Sequence, residues 1–359
     1  YADLIIITGG LGPTADDITK PLLCKYFGGK LVMNEDVLRH VQYLFEIVFR
    51  RTGPLLERNR KQAEVPDVCT VLHNARGTAP GMWFEKNGKI FISLPGVPHE
   101  MKGLITNEVI PRLPDHFTLP FILHRTAYTS GIGESALAEK IQDYETALPA
   151  HIKLAYLPGY GMVKLRLTTS GSDKDTLTKE LEAQFAQLLI EVKEHLVSDR
   201  DEGLESVVGR LLKQQNKTIG TAESCTGGGI AYALTSVPGS SAYFMGSVVS
   251  YDNRVKQELL GVKVETLDTY GAVSEESVKE MLQGALQQLK TDYAVAVSGI
   301  MGPDGGTEEK PVGTVWVAVG NKDKTVTHCF HFRFDRERNT RQTVMSTLDF
   351  LRKFIAANA

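Results

Sequence analysis

Short apolar runs rich in β-branched residues recur along the chain, and stretches with apolar residues every three or four positions lie between them. "ADLIIIT" (2–8), "IFISLPG" (90–96), "KTIGTAE" (217–223) and "DYAVAVSG" (292–299) have the length and continuity of strands buried on both faces. Helical periodicity fills 204–214 and, over a longer span, "DKDTLTKELEAQFAQLLIEVKEHL" (173–196). Alternation of this kind predicts a multidomain α/β protein. In its first domain a doubly wound, parallel sheet would bind ligands at the carboxyl ends of the strands.

At about 150 residues per domain, 359 residues suggest two or three domains. The proline-rich stretch "PRLPDHFTLP" (111–120) marks one boundary. After it, "ILHRTAYTSG", "GESALAEKIQDY", "IKLAYL", "MVKLRLTT" and the long helix give the order β-α-β-β-α, a small α+β unit. The expected spans are 1–113, 118–198 and 201–359. The chain opens on Tyr1 with a strand almost at once, which predicts a first domain lacking its N-terminal part.

Composition narrows the function classes. With 42% apolar and 23% charged residues and a net charge of -3, the chain has no basic field to draw it to nucleic acid or anionic membrane. No apolar run approaches the roughly 20 residues of a membrane span. Cys24, Cys69, Cys225 and Cys329 show no CxxC spacing, so reduced thiols and a cytoplasmic location are expected, without structural zinc.

Candidate chemistry in the first domain gathers at strand-to-helix junctions. In "ADLIIITGGLGPTADDITKPLL" (2–23), Gly9, Gly10 and Gly12 form a turn ahead of a helix, and Thr14 with Asp17 fits a capping box. Free N–H groups there make an anion site, and Asp16 and Asp17 are placed to hold a divalent metal; the alternative is that both only complement the helix dipole. At "LPGVPHEM" (94–101), Pro98 suits a first helical turn and Glu100 projects toward the strand ends.

The richest chemistry lies beyond residue 201. Ser224 follows strand "KTIGTAE" and precedes Thr226, Gly227 and Gly228, with a helix expected from about Thr226 to Leu234. Backbone N–H groups there would hold a phosphate or oxyanion while the hydroxyl attacks a carbonyl; the alternative is an ordinary helix cap. Downstream, a strand ends near Tyr251, Asn253 is placed as N-cap, Lys256 falls in the adjoining helix and Gly261 stops it. A lysine near a helix N-terminus is disfavoured as a cation, so its neutral amine can serve as a general base for a serine. All nine histidines lie outside 201–327, and Cys225 has no histidine neighbour to activate it. Ser298, Gly299, Gly302, Gly305 and Gly306 form a loop that lets backbone approach a ligand, and Arg336 and Arg341 are placed for phosphate contacts. Glu308, Glu309 and Lys310 read as solvated loop charges.

These motifs are familiar in combination. "TGGLGPTADD", "NRKQA", "GTAPGM" and "LPGVPHEM" resemble the molybdopterin-binding-like domain of the CinA family, and "AESCTGG", "PGSSAYF", "SYDNRVK", "GAVSEE" and "VSGIMGPDGGTEEKPVGTVW" resemble its C-terminal nicotinamide mononucleotide deamidase domain. The resemblance implies hydrolysis of nicotinamide mononucleotide to nicotinate mononucleotide and ammonia by a serine–lysine mechanism without a cofactor. It places Ser224, Ser240, Ser241, Tyr251 and Lys256 at the site. Position at a strand end makes Ser224 the leading nucleophile and Ser241 the alternative. For the first domain the resemblance implies metal-dependent cleavage of ADP-ribose. It also implies a homodimer and a KH-like connector at 118–198, where "SGIGES" replaces the GxxG loop, so nucleic acid binding is not expected. The competing readings are a principal pyrophosphatase and a non-catalytic competence- or damage-linked interaction protein.

Overall fold

The computed structural model describes residues 2–14, 16–51 and 53–358. The chain forms two units, Tyr1–Leu119 and Pro120–Ala359.

In the first unit, β1 (Leu4–Thr8), β4 (Thr70–Leu72), β5 (Gly81–Lys86) and β6 (Lys89–Leu94) form a sheet in the order β1-β6-β5-β4, while β2 (Leu31–Met33) pairs separately with β3 (Glu64–Pro66). Only β1 and β6 run parallel; β5 and β4 extend the sheet antiparallel, so it is mixed where uniformly parallel pairing was expected. The cause is local. Asn87 and Gly88 both take positive φ, 54° and 71°, the geometry of a two-residue hairpin turn, and fold β5 directly onto β6. The parallel pair carries both glycine junctions. After β1 the chain turns through Gly9 and Gly10 into α1 (Thr19–Phe27), and after β6 it enters α3 (Pro98–Leu104), with Pro98 at its start; α2 (Glu35–Tyr43) lies between them in sequence.

In the second unit, β7 (Phe121–Ser130), β8 (Ile152–Gly159), β9 (Met162–Gly171) and β10 (Leu196–Ser198) form an antiparallel sheet in the order β10-β7-β9-β8. Helices α4 (Glu134–Lys140), α5 (Gln142–Ala147) and α6 (Lys174–Glu191) accompany it, and its core includes Leu165, Leu167, Phe185 and Leu188.

The remainder of the second unit is a five-stranded sheet with helices on both faces. Its strands are β11 (Ile219–Glu223), β12 (Phe244–Val249), β13 (Tyr293–Gly299), β14 (Thr314–Asn321) and β15 (Thr325–His331), in the order β12-β11-β13-β14-β15. β12, β11 and β13 are mutually parallel, so Glu223, Val249 and Gly299 end at one edge, and β14 and β15 close the sheet antiparallel. Side chains alternate in size with the period of the strand. Val295, Val297, Val315, Val317 and Val319 face one core, shared with α7 (Leu204–Gln215) and the final helix α12 (Arg336–Ala357). Ala222, Ala294, Ala296 and Ala318 face the other, where small side chains let α11 (Glu275–Leu289) lie close to the sheet. The remaining helices are α8 (Gly229–Thr235), α9 (Asn253–Leu260) and α10 (Val264–Tyr270).

The contact between α11 and the end of α9 is closer still. A Cβ at Gly284 would overlap the backbone of Leu260, which has no flexible end to move aside. Gly284→Ala is therefore expected to destabilise the protein by about 3 kcal/mol, at the upper end of ordinary overpacking, as read by urea denaturation.

Candidate active site

The carboxyl ends of β11, β12 and β13 meet around a cavity of about 200 Å³. Ser224 and Cys225 come from the turn after β11, Tyr251, Asn253 and Lys256 from the turn and helix after β12, and Ser298 and Gly299 from the end of β13. Ala272, Val273, Met301 and Arg336 complete the wall.

The turn after β11 is built on a residue that pattern reading passed over. Glu223 is fully buried, and its carboxylate accepts from the Thr226 hydroxyl at 2.7 Å and from the backbone N–H groups of Gly228, Ile230 and Ala231 at 3.1, 3.0 and 2.8 Å. The Thr221 hydroxyl adds a contact at 3.2 Å. An internal anion thus fills the donor-rich start of α8. This corrects the phosphate cradle expected at Thr226, Gly227 and Gly228: the Thr226 hydroxyl and the Gly228 N–H donate to Glu223, the Gly227 N–H donates to Ser224 O, and none of the three residues lines the cavity. It also moves the helix start, because the carboxylate holds residues 224–228 as a loop and α8 begins at Gly229, not near Thr226. Ser224 is held at the mouth of this loop, its N–H donating to Val297 O at 3.0 Å.

Lys256 is 1% exposed. Its Nζ donates to Ser250 O at 2.8 Å and Tyr251 O at 3.2 Å, and among the described residues no carboxylate pairs with it. Burial lowers its pKa from the ordinary 10.5, against smaller opposing effects of Asp252 and Cys225. The two carbonyls take two of the hydrogen-bonding positions of Nζ, and Lys256 lines the cavity beside Ser224. The N-cap of α9 is Asp252, whose side chain accepts from Arg254 N–H, and Asn253 is the first helical residue; Asp is as good a cap, and it stands one position earlier.

Two further residues of the cavity wall meet each other. The Tyr251 hydroxyl accepts from Arg336 Nη2 at 3.2 Å, and Tyr251 engages the Lys256 amine through its carbonyl. Arg336 Nη1 donates to Gly302 O at 2.8 Å, so one guanidinium ties the glycine loop to the end of β12 at the cavity rim. Burial pushes the Cys225 thiol up to about 12, which leaves it protonated and a poor nucleophile. Ser298 donates to Ala272 O at 2.7 Å and so holds the wall segment rather than offering its hydrogen to a ligand.

Several predicted residues lie elsewhere. Ser240 and Ser241 form a short turn before β12, with Ser241 exposed, and neither lines the cavity. Gly305 and Gly306 sit on an exposed part of the loop. Arg341 is one turn too far along α12; it pairs with Glu337 at 2.7 Å and lies over the Tyr160 ring. Lys310, expected to be solvated, donates to Tyr270 O at 2.6 Å and anchors the loop to the end of α10.

In the first unit, Gly9 and Gly96 bring the two junctions together: a Cβ at Gly96 would lie 3.3 Å from Gly9 Cα. Gly10 and Gly12 leave room for Thr19 and Asp17. The expected capping box is not formed, since Thr14 N–H and hydroxyl both donate to Asp17 within the loop and α1 begins only at Thr19, with Ile18 as its cap. Glu100 accepts from Asn74 Nδ2 at 2.7 Å. Of the residues expected to hold a divalent metal, Asp17 accepts from Thr14 and Asp16 is exposed, and the described residues contain no group of three or more His, Cys, Asp or Glu that could hold a metal ion.

Comparison with known proteins agrees with this architecture. Residues 1–115 match a probable molybdopterin binding domain, 124–197 the damage-inducible protein CinA KH domain and 201–355 the CinA C-terminal domain. A CinA-like protein of Cytophaga hutchinsonii is 49% identical over 98% of this chain and 84% of its own length. The chain belongs to the CinA family. Another CinA-like protein, from Flavobacterium psychrophilum, is 46% identical over 99% of this chain and 85% of its length, and a putative competence-damage inducible protein of Acetivibrio thermocellus is 41% identical over 98% and 84%. Among solved structures, the competence damage-inducible protein A of Klebsiella pneumoniae is 38% identical, covering 43% of this chain and 95% of its own, with a TM-score of 0.42. No helix among the described residues is long and apolar enough to cross a membrane.

Two predictions follow from the geometry of this CinA site. Glu223→Gln places an NH2 against donors that now meet an acceptor, and a loss of roughly 3 kcal/mol is expected in chemical denaturation. Lys256→Met removes a buried amine whose proton affinity is lowered by folding, so the unfolded chain binds more protons between the folded value and 10.5. The lysine therefore destabilises the wild type below that window, and the deficit fades as pH rises through it. Lys256→Met should melt higher than wild type at pH 7, with the gap closing toward pH 10.5 in thermal scans.

Proposed function

We propose that the C-terminal part of this chain is an amidohydrolase that converts nicotinamide mononucleotide to nicotinate mononucleotide and ammonia. The observation that carries the reading is a buried lysine, lowered in pKa and unpaired with any described carboxylate, lining one cavity with a serine. Lys256 takes the proton from Ser224 Oγ as that oxygen attacks the amide carbon. Collapse of the tetrahedral adduct breaks the C–N bond, and the Lys256 ammonium returns the proton to the departing ammonia. Water, deprotonated by the same amine, then hydrolyses the ester, releasing the nicotinate carboxyl and restoring the serine.

The remaining groups position these atoms. The Ser250 and Tyr251 carbonyls hold the amine, and Glu223 fixes the loop that carries Ser224. Arg336, the cation at the rim, is the anchor for the 5'-phosphate, since the donors of the Gly227–Gly228 turn are taken. Ser224 is preferred over Ser241 as nucleophile because it shares the cavity with Lys256. No step in this scheme calls for a cofactor. Two copies of the chain are expected in the working protein; exposed Met245 and Val249 on the edge strand β12 are consistent with pairing there.

Ammonia release from nicotinamide mononucleotide tests the reading. Ser224→Ala and Lys256→Ala are expected to lose at least about a thousandfold in kcat with the fold intact by circular dichroism, and Arg336→Ala to act mainly by raising KM. Near-normal turnover in Lys256→Ala would remove the assigned base.

A further inference from the structure

A second cavity, of about 550 Å³, is separate from the candidate active site. It lies in the second unit along the seam between the KH-like sheet and the C-terminal domain. On one side are the glycine turn after β7 and the β8–β9 hairpin turn; on the other are β15 and the face of α12 from Gln342 to Lys353. Its volume falls within the range of small-molecule sites.

The seam is kept open yet fixed by close contacts. Gly161, at φ 66°, passes so near α12 that an added Cβ would stand 3.3 Å from Gln342 Nε2, and one at Gly131 would stand 3.3 Å from Lys353 Nζ. Arg352 donates to Leu196 O at 3.4 Å and Tyr128 to Asp201, bonds that tie the KH-like sheet to α12 and to the segment ahead of α7. The gap is therefore a defined recess between firmly joined parts.

Its chemistry is selective. Phe330, Phe334 and Phe350 supply an aromatic wall, and the His328 ring lies 4.4 Å from Phe330 and 5.9 Å from Phe350. Such a wall favours a flat π-system. Around it stand neutral hydrogen-bonding groups, the Gln342 amide and the Ser346 hydroxyl. Charge is nearly cancelled: Asp349 is matched by Arg352 and Lys353, both at 2.8 Å, and Glu134 stands among the lining groups. A phosphate would meet two carboxylates and no unshared cation. The volume exceeds what a lone ring fills.

We infer that this seam is a second binding site, which takes an uncharged nucleoside with its base on the Phe330–Phe350 wall and its sugar hydroxyls toward Gln342 and Ser346. The site is separate from the Ser224–Lys256 cavity and does not depend on the reaction assigned there.

Isothermal titration of the full chain with adenosine, guanosine, cytidine and uridine tests this. At least one is expected to bind saturably at a single site, with its 5'-monophosphate about tenfold weaker or more. Ser346→Trp, which fills the recess, and Gln342→Ala, which removes the amide, should each weaken binding, the former by about tenfold or more. Ser224→Ala should bind as wild type. Photolabelling with 8-azidoadenosine should map to peptides within 130–163 or 328–353. Absence of saturable nucleoside binding at millimolar concentration, equal or tighter binding of the monophosphate, or labelling confined to the Ser224 cavity would each overturn the inference.

Discussion

The C-terminal domain depends on one buried anion. The Glu223 carboxylate receives three backbone N–H groups and a hydroxyl from the turn that follows its own strand, and this decides what the turn is for. A glycine-rich turn at a helix start ordinarily offers itself to a ligand's phosphate. Here the protein supplies the negative group, so the turn becomes a rigid bracket that presents Ser224 at the strand edge. The exposed cation at the cavity rim is Arg336, on a different element from that turn. A buried amine supplied by the neighbouring strand then faces the presented hydroxyl's cavity without a counter-ion of its own. Those two choices, a carboxylate turned inward and an amine left without a carboxylate partner, set the chemical character of the site.

Much of this was legible from residue patterns. Continuous apolar runs mark β11 and β13, the position of Ser224 after β11 follows from the switch of period at "AESCTGG", and Lys256 follows from the helix after "SYD". What pattern reading missed has physical causes. Glu223 carries no periodic signal: a charged residue closing an apolar strand looks like the first solvated position, and its burial becomes apparent only when the turn folds back over it. The N-cap at Asp252 was displaced by one residue because Asp and Asn are nearly equivalent as caps. Arg341 and Arg336 looked alike in sequence, yet five residues along a helix rotate a side chain well away from the site, at 3.6 residues per turn.

The first unit shows a different limit. Strand, glycine turn and helix were correctly placed in sequence, but an Asn87–Gly88 hairpin signal was present and unread, and it makes the β5–β6 pairing antiparallel. Likewise Thr14 and Asp17 have the spacing of a cap, and their hydrogen bonds do form; they close a loop ahead of the helix. Spacing identifies which groups meet, whereas only backbone conformation identifies what the meeting accomplishes.

Helix α12 has a consequence beyond its packing. It begins with the guanidinium at the rim of the Ser224 cavity and, about 20 Å farther along its axis at 1.5 Å per residue, reaches the carboxylate of Asp349 on the seam with the KH-like sheet. Being one uninterrupted rod, it acts as a lever with Arg336 at its tip: a rock of a few degrees at the Asp349 end displaces that tip by an ångström or so. The angular precision of α12 at the seam is thus the tolerance to which the guanidinium at the cavity rim is machined.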